Sequence, residues 1–66
     1  MDIEEVKEIL TKKEFKVFTY LLEGKKNKEI AELMFVTQHT IKAHVSAILK
    51  KLKVKRRIDL IIKYKN

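Results

Sequence analysis

Short side chains and lysines share one stretch of the sequence, TQHTIKAHVSAILKKL, which begins at Thr37. Drawn as a helix, it carries its apolar residues on one side and Ala43, Ser46 and Lys50 on the other, with Lys42 at the margin. A helix built only for solubility would carry longer charged side chains there. Small residues instead let a helix backbone approach another surface closely, and the major groove of B-DNA admits one helix. The predicted chemistry is therefore recognition of a polyanion, with lysines reaching base edges or phosphates.

The basic charge of the chain lies in the same half as this stretch. The net charge is +7, yet residues 1–33 hold seven lysines and eight acidic residues, while residues 34–66 hold nine lysines or arginines and only Asp59. A one-sided positive field attracts polyanions and speeds their capture. A solvated lysine surface has the same composition, so charge alone does not choose between the two interpretations.

Length and composition restrict the fold and the compartment. A chain of 66 residues forms one small domain at most, and without cysteine it has neither a disulfide nor a cysteine-based zinc site. The absence of proline and the single glycine, Gly24, argue against an all-β fold with many tight turns. No apolar run approaches the roughly 20 residues of a membrane span, and no signal-peptide pattern is present. A soluble, cytoplasmic, all-α protein is expected.

Four helices are predicted, at about 12–23, 28–34, 38–53 and 56–64. Thr11 and Glu14 have the form of a capping box at the start of the first helix, and Gly24 suits the position after its end. Asn27 is expected to cap the second helix and Thr37 the third. These boundaries leave only short turns between the helices.

Apolar residues recur at three- and four-residue spacing within these segments and predict the core. The expected buried residues are Val17, Phe18, Leu21 and Leu22, then Ile30, Ala31, Leu33 and Met34, then Ile41, Val45, Ile48, Leu49 and Leu52. Ile3, Val6 and Ile9 are spaced for a leading helical turn. The second and third helices, joined by a turn at 35–37, have the dimensions of a helix-turn-helix.

Five short motifs occur in order along the chain. They are LT..E at Leu10, Thr11 and Glu14, EG at 23–24, NKEIA at 27–31, TIKxHV at 40–45 and LKKLxVxxR at 49–57. In order and spacing the chain resembles the LuxR/GerE-type DNA-binding domain of NarL- and FixJ-like response regulators, from Leu10 to about Tyr64. The resemblance implies a four-helix, all-α domain whose third helix enters the major groove. It also implies dimers, often formed through the fourth helix, on inverted-repeat sites.

By matching positions, the resemblance implies which residues of this chain would contact DNA. Lys42, Ala43 and Ser46 would face base edges, where Ala43 offers only an apolar contact. The candidate phosphate contacts are Thr37, Thr40, Lys50 and Lys51. The implied partners are double-stranded DNA and a second copy, with RNA polymerase as a further partner of a transcriptional regulator.

The predicted fourth helix cannot turn all of its isoleucines inward. Nine residues carry Ile58, Leu60, Ile61 and Ile62, which cover more than half of the helix circumference. Part of this apolar surface should stay exposed in a monomer, and such a patch usually marks an interface. Ile58, Ile61 and Ile62 are therefore the predicted dimer contacts.

The chain departs from the family pattern at several positions. Lys53 stands where many members have glycine, so the third helix is expected to end less sharply. Arg56 replaces a small capping residue, a loss of about 1 kcal/mol that Asp59 in the first turn offsets only in part. Ser46 is short where some relatives carry a longer reader, which predicts weak discrimination at that position.

Catalysis and metal binding have little support in the sequence. His39 and His44 lie roughly 140° apart on a helix, too far to share one ion easily. The chain has no cysteine nucleophile and no glycine-rich phosphate loop, so an enzyme, a metal and a cofactor are not expected.

Two other functions remain open, as does the extent of the domain. A protein-interaction module could use the 56–64 helix, and region 4 of a sigma factor shares part of the motif pattern. The domain is predicted at 10–66, with its helix-turn-helix at about 27–46. Residues 1–9 are either a linker remnant or the start of a standalone regulator.

Overall fold

The structure, a computed structural model, describes residues 3–65, so the predicted segments 1–9 and 10–66 extend outside it at positions 1, 2 and 66. Its helices are α1 (Ile3–Ile9), α2 (Lys12–Leu22), α3 (Asn27–Met34), α4 (Gln38–Lys51) and α5 (Arg57–Tyr64). No strand occurs within these residues, and the predicted all-α class is confirmed. The four predicted helices are present, and α1 is a further helix where the sequence indicated only a leading turn.

The start and end of α2 follow the predicted capping chemistry. The Thr11 hydroxyl accepts from the Glu14 N–H at 3.1 Å, and the Glu14 carboxylate accepts from the Thr11 N–H at 2.9 Å. Beyond the helix, Gly24 has φ +81, a left-handed conformation that glycine adopts without strain. The preceding helix α1 packs on α2 and buries Val6, with Leu10 buried just beyond it.

Two predictions for α3 are wrong. Asn27 does not cap the helix: it is the first helical residue, and Lys26 precedes the helix in an extended conformation, its N–H bound by the Glu29 carboxylate at 2.8 Å. Leu33 is not buried but 48% exposed. The buried face is centred between Ile30 and Ala31, and Leu33 projects about 110° away from that centre.

The expectation of an indistinct end for α4 is also wrong. The helix ends at Lys51, and Lys53 itself adopts φ +57, in the left-handed region. The Val54 N–H bonds the Leu49 carbonyl at 2.9 Å and the Lys53 N–H bonds the Lys50 carbonyl at 3.2 Å, the pattern of a Schellman cap. The cap thus forms without glycine, and lysine bears a cost of about 1 kcal/mol in this conformation.

Arg56 caps α5 poorly, as expected. It is the N-cap residue, in an extended conformation, and its side chain makes no capping hydrogen bond. The guanidinium instead binds the Asp59 carboxylate through two contacts of 3.1 Å. This exposed pair holds two side chains at the start of α5 and leaves its first N–H groups without a side-chain cap.

The core lies between α2, α4 and α5, with α1 and α3 closing its sides. The buried apolar residues are Val6, Leu10, Val17, Phe18, Leu21, Ile30, Ala31, Ile41, Ile48, Leu52 and Leu60. Phe18 stands at the centre, fully buried, and the ring of Tyr64 meets it edge-on at 5.3 Å between centroids. Leu60 and Tyr64 thereby attach α5 to α2. Among the helices of this part of the chain, none combines the length and apolar character that a membrane crossing requires.

Candidate nucleic-acid interface

The turn between α3 and α4 forms a helix-turn-helix of the predicted dimensions. Phe35 ends α3 in a left-handed conformation, φ +57, and the Val36 N–H bonds the Ala31 carbonyl at 3.0 Å. Thr37 then starts α4, its hydroxyl accepting from the Thr40 N–H at 3.2 Å, which confirms its capping role. Residues 35–37 therefore fix the angle between the two helices through backbone conformation.

The first turn of α4 carries two of the predicted phosphate contacts. The hydroxyl oxygens of Thr37 and Thr40 lie 3.1 Å apart, and either can donate to the other. Thr37 is exposed and Thr40 partly so. A helix N-terminus presents unpaired N–H groups and a positive dipole end, which favour an anion. The structure thus brings these two threonines together at the end of α4 that suits a phosphate.

The exposed face of α4 is lined by small side chains, as the sequence predicts. Ile41 and Ile48 are fully buried, which fixes the rotation of the helix about its axis. The residues on its outer face are His39, Lys42, Ala43, Ser46 and Lys50, all of them exposed. The three predicted base contacts therefore share one open surface, with Lys50 one turn further toward the end of the helix.

The other end of α4 is held by an ion pair. The Lys51 ammonium lies 2.7 Å from the carboxylate of Glu14, whose side chain is only 9% exposed. The hydrogen bond from Lys51 is the main cause that lowers the pKa of Glu14, against the opposing effect of burial. The pair stabilises the fold at neutral pH, and this contribution is lost as pH falls through the lowered pKa. Lys51 is therefore joined to α2, whereas Lys50 projects outward.

A basic groove, which the sequence did not predict, lies beside the start of α3. It has a volume of about 640 Å³ and lies between the loop at 23–26, the first residues of α3 and α4, and the start of α5. Its polar lining comes from Lys25, Lys26, Asn27, Lys28, Gln38 and Arg57. The positive and negative charges of residues 1–33 nearly cancel, so the cluster of three lysines within positions 25–28 was not recognised from the sequence.

The predicted dimer residues lie on α5 with unequal exposure. Ile58 is 50% and Ile62 59% exposed, while Ile61 is partly buried. Leu60 is the residue of this helix that enters the core. The predicted apolar surface on α5 is thus present, and it lies opposite the side that packs on α2.

Comparisons with known proteins agree with this architecture. The family model of the bacterial regulatory proteins of the luxR family matches residues 8–64. The transcriptional regulatory protein LiaR of Bacillus subtilis is 48% identical over 55 residues, which are 83% of this chain and 26% of LiaR. The DNA-binding transcriptional activator EvgA of Escherichia coli is 41% identical over 51 residues, 77% of this chain and 25% of EvgA.

A shorter relative aligns over most of its length. The spore germination protein GerE of Bacillus subtilis is 39% identical over 56 residues, 85% of this chain and 76% of GerE. By contrast, the chain spans only about a quarter of the length of LiaR and EvgA. The matched region contains the helix-turn-helix and α5. The chain belongs to the luxR family of bacterial regulatory proteins and forms a helix-turn-helix DNA-binding domain of that family.

Proposed function

We propose that the domain acts in the cytoplasm as a homodimer that binds an inverted repeat in double-stranded DNA, with α4 in the major groove. The observation that carries this proposal is the outer face of α4, where small side chains lie between exposed lysines. Lys42 and Ser46 would hydrogen-bond base edges, and Ala43 would contact a thymine methyl group. RNA polymerase is the further partner that we propose for a regulator of transcription.

Phosphate contacts on both sides of the groove would set the register of α4. Thr37 and Thr40 would bind one phosphate at the helix N-terminus, and Lys50 would bind another near its end. Lys51 was expected to join this set, but its ammonium is engaged by Glu14. We propose that Lys51 reaches a phosphate only by leaving that ion pair, and that it acts mainly as an anchor for α4.

The two neighbouring lysines should therefore differ in the salt dependence of binding. Each neutralised phosphate contributes about −0.9 to the slope of log affinity against log salt concentration. We expect Lys50→Ala to make this slope less steep by about 0.9, the contribution of one phosphate, and to leave the melting temperature unchanged. Lys51→Ala should leave the slope unchanged and cost about 1 kcal/mol of stability, because it strands the Glu14 carboxylate. Anisotropy titrations at several salt concentrations, with thermal melts, measure both effects.

Equal reductions in slope for both variants would contradict the assignment of Lys51 as an anchor. An unchanged slope for Lys50→Ala would remove Lys50 from the phosphate set. The two variants carry the same charge change at adjacent positions, so each serves as the control of the other.

The proposed dimer surface on α5 predicts the effect of a charge placed on it. Ile62→Lys should raise the dimer dissociation constant by at least about tenfold, because it removes apolar contact area and buries an ammonium. The last turn of α5 accepts a cation, so the fold should be retained. Sedimentation equilibrium measures the dissociation constant. Ile9→Lys, the same substitution at another exposed isoleucine, is the control and should remain dimeric.

Selection from a randomised duplex pool at two salt concentrations tests the whole proposal. Enrichment of an inverted repeat by the wild-type domain, and of single half-sites by Ile62→Lys, is the expected result. Salt-sensitive binding without an enriched sequence would contradict specific reading by α4. No binding at low salt would favour the remaining alternative, a protein-interaction module that uses the exposed isoleucines of α5.

A further inference from the structure

Arg57 joins two parts of the domain that are distant in sequence. It is the first residue of α5, and one nitrogen of its guanidinium donates to the side-chain oxygen of Asn27 while another donates to the carbonyl of Lys25. Asn27 opens α3, so the contact connects α5 to the entrance of the helix-turn-helix. Partial burial lowers the pKa of Arg57, yet a guanidinium stays protonated at neutral pH and can keep both bonds.

The contacts of Leu60 and Tyr64 on α5 are of another kind. Leu60 is buried in the core, and Tyr64 meets the ring of Phe18 on α2. The hydrophobic effect is non-directional, and the preferred crossing angles of packed helices scatter by about 15–20°. A guanidinium that binds two acceptors at once has a defined orientation, because its donors form a rigid planar fork. Arg57 thus provides a contact that can fix the direction of α5 relative to α3.

We infer that Arg57 is a positioning residue that sets the spacing between the two DNA half-sites. The inference rests on the proposed function, in which α5 forms the dimer and α4 reads the DNA. In a symmetric dimer, the relation of α5 to the helix-turn-helix fixes the distance between the two copies of α4. Arg57 links these elements through its bonds to Asn27 and to the Lys25 carbonyl.

A small change in tilt is enough to matter. The domain measures 29 × 20 × 17 Å, so a rotation of about 10° at α5 moves the far side of the domain, 20 Å away, by about 3.5 Å. That displacement is close to the spacing of one base pair, about 3.4 Å along a strand. Loosening the link should therefore let one dimer accept half-sites whose separation differs by a base pair.

The test measures affinity for a series of duplexes that hold two copies of the selected half-site with spacers changed one base pair at a time. The wild-type dimer should prefer one spacer sharply. In Arg57→Gln the preference over the neighbouring spacers should fall by about tenfold, since charge-assisted hydrogen bonds are lost. The dimer dissociation constant should stay at its wild-type value, and affinity for a single half-site should fall no further than in Arg56→Gln, which removes the same charge.

Arg56→Gln is the matched control, because it removes the same charge one residue away and breaks only the exposed pair with Asp59. Its spacer profile should be that of the wild type. If Arg57→Gln fails to fold, Asn27→Ala removes one acceptor and Arg57→Lys keeps the charge without the planar fork. Each of these variants should broaden the spacer profile. Arg57→Lys alone should broaden it less than the double variant Asn27→Ala with Arg57→Lys.

Three results would overturn the inference. A wild-type spacer profile in the Arg57 and Asn27 variants would show that the other contacts of α5 are sufficient to orient it. Loss of the dimer in Arg57→Gln would make Arg57 part of the interface instead of a positioning residue. Indifference of the wild-type domain to paired half-sites would refute the proposed dimeric function, and the inference with it.

Discussion

The double substitution of Ala43→Glu and Ser46→Glu is expected to abolish specific DNA binding while leaving the helical circular-dichroism spectrum intact. Both side chains are exposed on the outer face of α4, so the fold can accept glutamate there. In the proposed complex the two carboxylates would face base edges and phosphates, and such juxtaposed like charges cost several kcal/mol. We expect affinity for the selected site to fall by at least about a hundredfold, measured by fluorescence anisotropy.

A control must separate this local effect from the loss of net charge. Lys12→Gln with Lys16→Gln makes the same change of two charges on the exposed side of α2. This variant should lose far less affinity, because its charges act only through the long-range field. Equal losses of affinity in the two double variants would contradict the proposed placement of α4 in the groove.

Lys42→Ala alone should reduce both affinity and the discrimination between bases.

Phe18→Ala is expected to unfold most of the domain at 37 °C. The ring is fully buried against Phe15 and Tyr64, and removal of a buried phenylalanine costs about 3–5 kcal/mol. A domain of this length has a total stability of about 3–10 kcal/mol, so the loss takes up much of it. Thermal unfolding followed by circular dichroism should show a melting temperature lowered by tens of degrees, or no cooperative transition.

Phe35→Ala provides the same chemical change at the opposite extreme of burial. Phe35 is 94% exposed, and alanine meets the same left-handed backbone at that position. Its effect on stability should therefore stay within about 0.5 kcal/mol. A melting temperature of Phe18→Ala close to that of Phe35→Ala would mean that Phe18 is not at the centre of the core.

Local signals were sufficient to predict most of the fold. The capping box at Thr11 and Glu14, the glycine after α2 and the cap at Thr37 depend on residues three or four positions apart, and each was confirmed. The buried faces of α2 and α4 followed from apolar periodicity. The exposed small-residue face of α4 is the complement of its buried stripe, so it was predicted along with that stripe.

Contacts between distant segments could not be predicted in the same way. Asn27 was expected to cap α3, but its amide is bound by Arg57, which lies 30 residues further along the chain. Lys51 was grouped with Lys50 as a phosphate contact, and only the packing of α4 on α2 brings it to Glu14. In both cases the folded chain offers the polar side chain a partner that sequence spacing does not reveal.

The left-handed residues at the ends of α3 and α4 bear on how such a domain can evolve. Phe35 and Lys53 both occupy a backbone region that favours glycine, and each bears a cost of about 1 kcal/mol there. A single exchange to glycine at either position would release most of that cost without touching the outer face of α4. Stability gained in this way can compensate for destabilising changes elsewhere. Such exchanges at the two helix ends would therefore let the outer face of α4 change in sequence while the fold is retained.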